Sequence, residues 1–207
     1  MEEKINIRLE KPSDFLQVEN ITREAFWNVY RPGCVEHWIL HNLRKEAYFV
    51  KELDYVLEVN KSMIAHIAYA KGYIITSNGI KREILLFGPV SVLPSYQKKG
   101  YGESLINFTI QKAKQLGYPA IVITGNPAYY KKFGFESASK YEIYYEGMNQ
   151  QEEFPFFMIK VLDESKIEDL KGVYTDPPCY QIIEEAVEAF DKQFPYKVKE
   201  IRAGQLN

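Results

Sequence analysis

Apolar and polar residues alternate along Ile5-Asn6-Ile7-Arg8-Leu9, the period-two pattern of a half-buried β-strand. The period then lengthens. Phe15, Val18, Ile21, Ala25 and Phe26 recur at helical spacing behind Pro12 and Asp14, which suit a helix entry. Arg31-Pro32-Gly33 breaks that helix. A second helix is predicted from Glu36 to Lys45, with Trp38, Ile39 and Leu43 facing inward. Strands are predicted at Tyr55 to Val59, Met63 to Thr76 and Lys81 to Val92, the last two joined by the hairpin signal Ser77-Asn78-Gly79. Glu103 to Leu116 reads as an amphipathic helix with Leu105, Ile106, Ile110 and Ala113 inward, closed by Gly117. The unbroken apolar run Ala120 to Thr124 predicts a strand covered on both faces. A short helix at Pro127 to Phe133, strands at Glu142 to Tyr145 and Phe156 to Val161, a turn-rich Tyr174 to Cys179 and a helix at Ile182 to Phe190 complete the pattern. This order predicts an α/β (α+β) chain with a mixed sheet flanked by helices.

Charge narrows the classes of partner. Lys plus Arg number 26 and Asp plus Glu 28, a net charge of -2, so nothing draws the chain as a whole toward nucleic acid or an anionic membrane. The start of the chain, Met1-Glu2-Glu3-Lys4, lacks the apolar core of a signal peptide, and no run is apolar enough to span a bilayer. Cys34 and Cys179 lie far apart without metal-ligand spacing. The expectation is a reduced, cytoplasmic protein with no metal.

One stretch carries chemistry. After the strand ending at Val92 come Leu93-Pro94-Ser95-Tyr96 and then Gln97-Lys98-Lys99-Gly100-Tyr101-Gly102, opening a helix. A helix start offers unpaired N–H groups and a partial positive charge, which suits a phosphate. The run Gly-x-x-x-x-Gly-Lys-Ser/Thr is absent, and Leu105 stands where a dinucleotide fingerprint needs glycine or alanine. Gln-x-x-Gly-x-Gly reads either as a pyrophosphate loop for coenzyme A, with Lys98 and Lys99 adding charge, or as a helix start that merely needs small residues.

Together with the preceding strand Leu86-Phe87-Gly88-Pro89-Val90-Ser91-Val92 and the later Asn126-Pro127-Ala128-Tyr129-Tyr130-Lys131-Lys132-Phe133-Gly134-Phe135, this loop resembles the GNAT superfamily of acetyl-CoA-dependent N-acetyltransferases. It is most similar to a bacterial subgroup with a Gly-Asp/Asn-Pro-x-Tyr-Tyr segment and a C-terminal extension. The resemblance implies a mostly antiparallel sheet in which the strand ending at Val92 splays from Ile121–Ile123 to form a coenzyme cleft, and Gly88-Pro89 suits a bulge there. It implies acetyl-CoA as co-substrate, held by main-chain groups of Val90 and Val92 and by Gln97, Lys98, Lys99, Gly100, Tyr101 and Gly102. Asn126 is either a coenzyme contact or a helix cap, and Phe133 lies near the coenzyme. Tyr130, four residues before Gly134, matches the family's general acid. A phenol with pKa near ~10 can protonate a thiolate whose acid lies near ~8.5.

The base stays open among Glu83, His66 and a water chain. His37 and His41, four apart, lack the glutamate and third ligand of a zinc motif and read as helix-face residues. The expected domains are residues 1–162 for acetyl transfer and 163–207 as an extension. The acceptor is an amine of a small molecule or a peptide, with an entrance between Arg23 and Lys45 and around Tyr144 to Phe156 by family analogy. Glu146, Glu152 and Glu153 either attract a cationic amine there or form a solvated loop. A homodimer is compatible with the sequence. The rival readings are a non-catalytic acyl-CoA sensor and an interaction protein that docks through residues 163–207.

Overall fold

The structure, a computed structural model, describes residues 3–205; Met1, Glu2, Leu206 and Asn207 lie outside it. In chain order the elements are β1 (Ile5–Leu9), α1 (Phe15–Phe26), α2 (Glu36–Leu43), β2 (Tyr55–Val59), β3 (Ser62–Thr76), β4 (Lys81–Val92), α3 (Tyr101–Gln115), β5 (Ala120–Thr124), α4 (Pro127–Tyr130), β6 (Glu136–Ser137), β7 (Ile143–Tyr145), β8 (Phe157–Val161), β9 (Gly172–Thr175) and α5 (Glu184–Asp191). Strand order is β1-β2-β3-β4-β5-β8-β6, with β9 paired to β3 and β7. The chain is thus mixed α/β with a mostly antiparallel, open sheet and flanking helices. Among the described residues no helix is long and apolar enough to cross a membrane.

The chain divides into two compact units and passes between them within β3, β4 and α3 and again between Pro177 and Pro178. The first comprises residues up to Ala68, Pro89–Phe108 and the chain from Pro178 onward; the second comprises Tyr69–Gly88 and Thr109–Pro177.

In the first unit β1 and β2 pair antiparallel, Ile5 opposite Val59, and β2 pairs with β3 around Val56 and His66. The 3₁₀ turn at Pro12–Asp14 opens α1, and the Lys11 N–H donates to the Asp14 carboxylate at 2.9 Å. Buried Val18 and Ile21 give α1 its inner face. In α2 that face is formed by His37, Ile39, Leu40 and Leu43 rather than by Trp38, which is half-buried. The helix is turned so that positions 37, 40 and 43 face inward, and His37 finds a carboxylate partner there. α5 returns onto α2, where Phe190 lies 5.2 Å from His37 and 4.5 Å from His41, centroid to centroid. The tail beyond α5 runs to Asn28, a buried residue at φ 59°. Its carboxamide donates to the Val198 carbonyl at 3.1 Å and accepts from the Glu200 N–H at 3.1 Å, while Trp27 Nε1 donates to the same Val198 carbonyl at 2.9 Å.

In the second unit β5 pairs antiparallel with β8 along its whole length and parallel with β4 only at Leu85–Ile121 and Leu86–Val122. Tyr174 and Thr175 lie in β9, not in a turn, and Tyr73 stands opposite Thr175. The Tyr174 ring is buried and stacks on Phe157 at 5.3 Å, so packing overrides the turn-rich composition that follows it. Cys34 and Cys179 are both buried and carry thiols rather than a disulfide.

Candidate active site

In the first unit the end of β4 is fixed by the Leu93 N–H, which donates to the Ile64 carbonyl at 2.9 Å. A 3₁₀ turn at Pro94–Tyr96 follows, and the Gln97 side chain reaches back to donate to the Val92 carbonyl at 3.0 Å. Gln97 therefore ties the loop to the strand. Lys98 and Gly100 both have left-handed backbone, φ 61° and 88°. Backbone of this kind is the type that builds anion-binding concavities from successive N–H groups. The first bond of α3 runs from the Ser104 N–H to the Gly100 carbonyl at 2.9 Å. Among the described residues, the N–H groups of Lys98, Lys99, Gly100, Tyr101 and Gly102 donate to no protein acceptor. The space beside Gly100 is open, with nothing within 4 Å of where a Cβ would stand. Lys98 and Lys99 are exposed. The Tyr101 ring is buried and its hydroxyl donates to Glu3 at 2.5 Å, which leaves its main chain at the helix start. Val90 and Val92 are half-buried rather than core; Ser91, between them, is the buried residue, donating to Thr22 at 2.9 Å.

In the second unit Asn126 caps α4, its side chain accepting from the Ala128 N–H at 2.9 Å. Pro127 takes the first helical position, where a missing N–H costs nothing. One turn later Tyr130 is half-buried, its ring 6.0 Å from Phe87 and 5.9 Å from Phe135. The Tyr130 ring lies directly on Gly125; a Cβ there would stand 2.6 Å from a ring carbon. Phe133 is buried, 6.3 Å from Tyr130. Gly134 ends the segment at φ 78°.

Residues 45–137 match the family model of the acetyltransferase (GNAT) domain, a window that takes in both the loop and Tyr130. That window, a little under half of the chain, matches a GNAT acetyltransferase domain. Over 137 residues, 66% of this chain and 77% of the relative, it is 24% identical to the uncharacterized N-acetyltransferase YhbS of Escherichia coli K12. Among solved structures, a GNAT family acetyltransferase from Brucella melitensis in complex with acetyl-CoA is 25% identical, with a TM-score of 0.66 over 86% of this chain and 99% of that one. The fold of Escherichia coli YhbS in complex with CoA superposes with a TM-score of 0.74 at 20% identity, over 87% of this chain and 93% of that one.

The other sequence-predicted groups have separate partners. Glu83, in the second unit, is exposed and pairs with Lys71 at 3.2 Å. His66, in the first, is fully buried with Nε2 on Asp54 at 2.6 Å, so it faces a carboxylate rather than solvent. His37 and His41 do not converge. His37 Nε2 lies 3.1 Å from Asp191, and burial pushes its imidazole down to about 4; His41 Nδ1 lies 2.9 Å from Glu19. Glu146, Glu152 and Glu153 are exposed. Sequence reasoning missed the support that Gly125 gives Tyr130, although the Gly125-Asn126-Pro127 run was its signal. It also missed the Gln97–Val92 tie, for which a lone glutamine gives no signal.

Proposed function

We propose that this chain is an N-acetyltransferase that passes the acetyl group of acetyl-CoA directly to a primary amine. The observation that carries the reading is the row of unpartnered N–H groups from Lys98 to Gly102 at the start of α3. The acetyl-CoA and CoA complexes of the two structural relatives support the choice of coenzyme.

On this reading those N–H groups, with Lys98 and Lys99, hold the diphosphate. Main-chain groups of Val90 and Val92 hold the pantetheine, and an N–H near Val92 steadies the oxyanion. Asn126 keeps its carboxamide nitrogen for the coenzyme while its oxygen caps α4. Phe133 backs Tyr130. The amine nitrogen attacks the thioester carbonyl, the C–N bond forms and the C–S bond breaks. The nitrogen gives up a proton to solvent, and the leaving thiolate takes one from the Tyr130 hydroxyl. Direct transfer needs no nucleophilic cysteine, and both thiols are buried.

The test uses protein stripped of carried-over ligand. Calorimetry with acetyl-CoA is expected to give saturable binding, and mass spectrometry with labelled acetyl-CoA and an amine panel is expected to give acetylated product. Tyr130→Phe keeps acetyl-CoA binding and loses ~10²–10⁴-fold in turnover. Absence of affinity for any CoA thioester would overturn the reading.

A further inference from the structure

Six ionisable side chains meet inside the first unit. Glu10 follows β1, Glu19 lies on α1, His41 and Arg44 lie on and just after α2, Asp54 precedes β2, and His66 lies on β3. All but His41 are buried. Arg44 donates to both oxygens of Glu10, at 2.5 and 3.0 Å, and to Glu19 at 2.8 Å. His41 also meets Glu19. Asp14, at the start of α1, also acts on Asp54 through its charge and is held by Arg8 at 2.6 Å.

Charge does not balance here as drawn. Three carboxylates face one guanidinium. Glu19 contacts Arg44 and His41, and Glu10 and Asp54 share Arg44 and His66.

The His66 ring decides where the missing positive charge goes. Its Nε2 lies 2.6 Å from Asp54, and its Nδ1 is buried with no hydrogen-bond partner among the described residues. An imidazolium would bury a second N–H with no acceptor, at the full desolvation cost of that group. The neutral Nε2–H tautomer buries only a lone pair. Burial pushes the imidazole in the same direction. His66 is therefore a neutral donor to Asp54.

A metal ion fits poorly. Donor atoms of Glu10, Asp54 and His66 lie within 4.8 Å of one another. Yet the His66–Asp54 separation of 2.6 Å is a hydrogen-bond distance, whereas two tetrahedral ligands at ~2.1 Å from one ion stand ~3.4 Å apart. Arg44 already covers Glu10 on both oxygens.

We propose that Glu10 and Asp54 share one buried proton at neutral pH, and that this proton latches α1 and α2 over the cluster. Burial and the neighbouring carboxyl push Glu10 up to about 8, and burial raises Asp54 as well. A second buried carboxylate needs water, and water reaches it only when the segments carrying Glu19 and Arg44 move aside. The opened form, with Glu10 in its usual range, gives the proton up. Rising pH therefore favours opening until the closed form also loses its proton, near 8.

The experiment is amide hydrogen exchange on the intact protein, corrected for intrinsic rates, followed across residues 14–23 and 36–45 between pH 6.5 and 9. The opening constant is expected to rise ~tenfold per pH unit up to pH 8, the signature of one proton, and then to level off. Glu10→Gln is expected to reduce that rise to less than ~twofold per unit. An unchanged slope in Glu10→Gln would overturn the proposal. Should that variant not fold, ¹⁵N spectra of the histidine rings in the unaltered protein decide it: His66 must read as neutral Nε2–H at pH 7, and an imidazolium would sink the idea. Titration with Zn²⁺ alone is expected to show no uptake by these residues; one equivalent bound with loss of the His66 Nε2–H signal would replace the proton by a cation.

Discussion

The guanidinium of Arg23 donates through Nε and Nη2 to the two oxygens of Asp191, at 2.6 and 3.1 Å, across 168 residues of sequence. Arg23 is 1% exposed, and its guanidinium also stacks 4.2 Å over the Trp27 ring. A buried pair of this kind adds little over an apolar replacement, but breaking one side strands the other. Asp191→Ala is therefore expected to cost ~3–5 kcal/mol, read from urea unfolding. The double variant Arg23→Met with Asp191→Leu is expected to recover most of it. A single variant as stable as the parent would show that the pair is not closed in solution.

Gly125 is the floor on which Tyr130 rests. In Gly125→Ala the new methyl would stand 2.6 Å from the tyrosine ring, so the ring must tilt away. Overpacking of this size costs ~1–3 kcal/mol. Turnover is expected to fall at least ~tenfold, as a misplaced acid does, with acetyl-CoA affinity within ~threefold of the parent. Unchanged turnover would separate the position of Tyr130 from the chemistry.

At the loop, left-handed backbone rather than side-chain bulk sets the geometry. Gly100→Ala meets no atom but forces alanine to φ 88°, a strain of ~1 kcal/mol or more. Acetyl-CoA affinity measured by calorimetry is expected to fall ~fivefold or more. Lys98 already bears such strain at φ 61°, so Lys98→Gly is expected to raise thermal stability while sparing the N–H row.

Acid sensitivity follows from the buried imidazoles. Burial holds His37 down to about 4 and also lowers His66. A group lowered in this way binds fewer protons folded than unfolded. Its stabilisation is present above the usual imidazole range near ~6.5 and is lost as pH falls toward 4, at up to ~1.4 kcal/mol per pH unit for each proton withheld. Tm is expected to rise from pH 4 to 6.5, and His37→Gln is expected to flatten that limb. A Tm independent of pH over this range would contradict the burial of both rings.

What the sequence made legible is what local period and local chemistry encode. Strands β1 to β5 fell where alternation or apolar runs placed them, and the Gln97–Gly102 loop and Asn126–Phe135 segment announced themselves by residue type. β9 did not, because four residues opening on Gly172 become a strand through pairing with β7 and with β3, the latter nearly a hundred residues earlier. β6, two residues long, is likewise defined by its neighbour β8. The burial of Arg23, Glu10 and His37 was invisible for a related reason: charge at one position does not disclose the partner that a distant segment will bring. His37 and His41 share a helix and a spacing, yet each answers to a different carboxylate.

The interleaving of the two compact units bears on any attempt to divide the chain. A cut after Leu162 looks like removal of an appendage, but it would discard the third piece of the first unit. Helix α1 would keep a guanidinium in its interior with no counter-ion, and Asn28 would face water where it now reads the Val198 and Glu200 main chain. Shortened versions of this protein should accordingly fail through the amino-terminal helices, far in sequence from the place where the scissors fell.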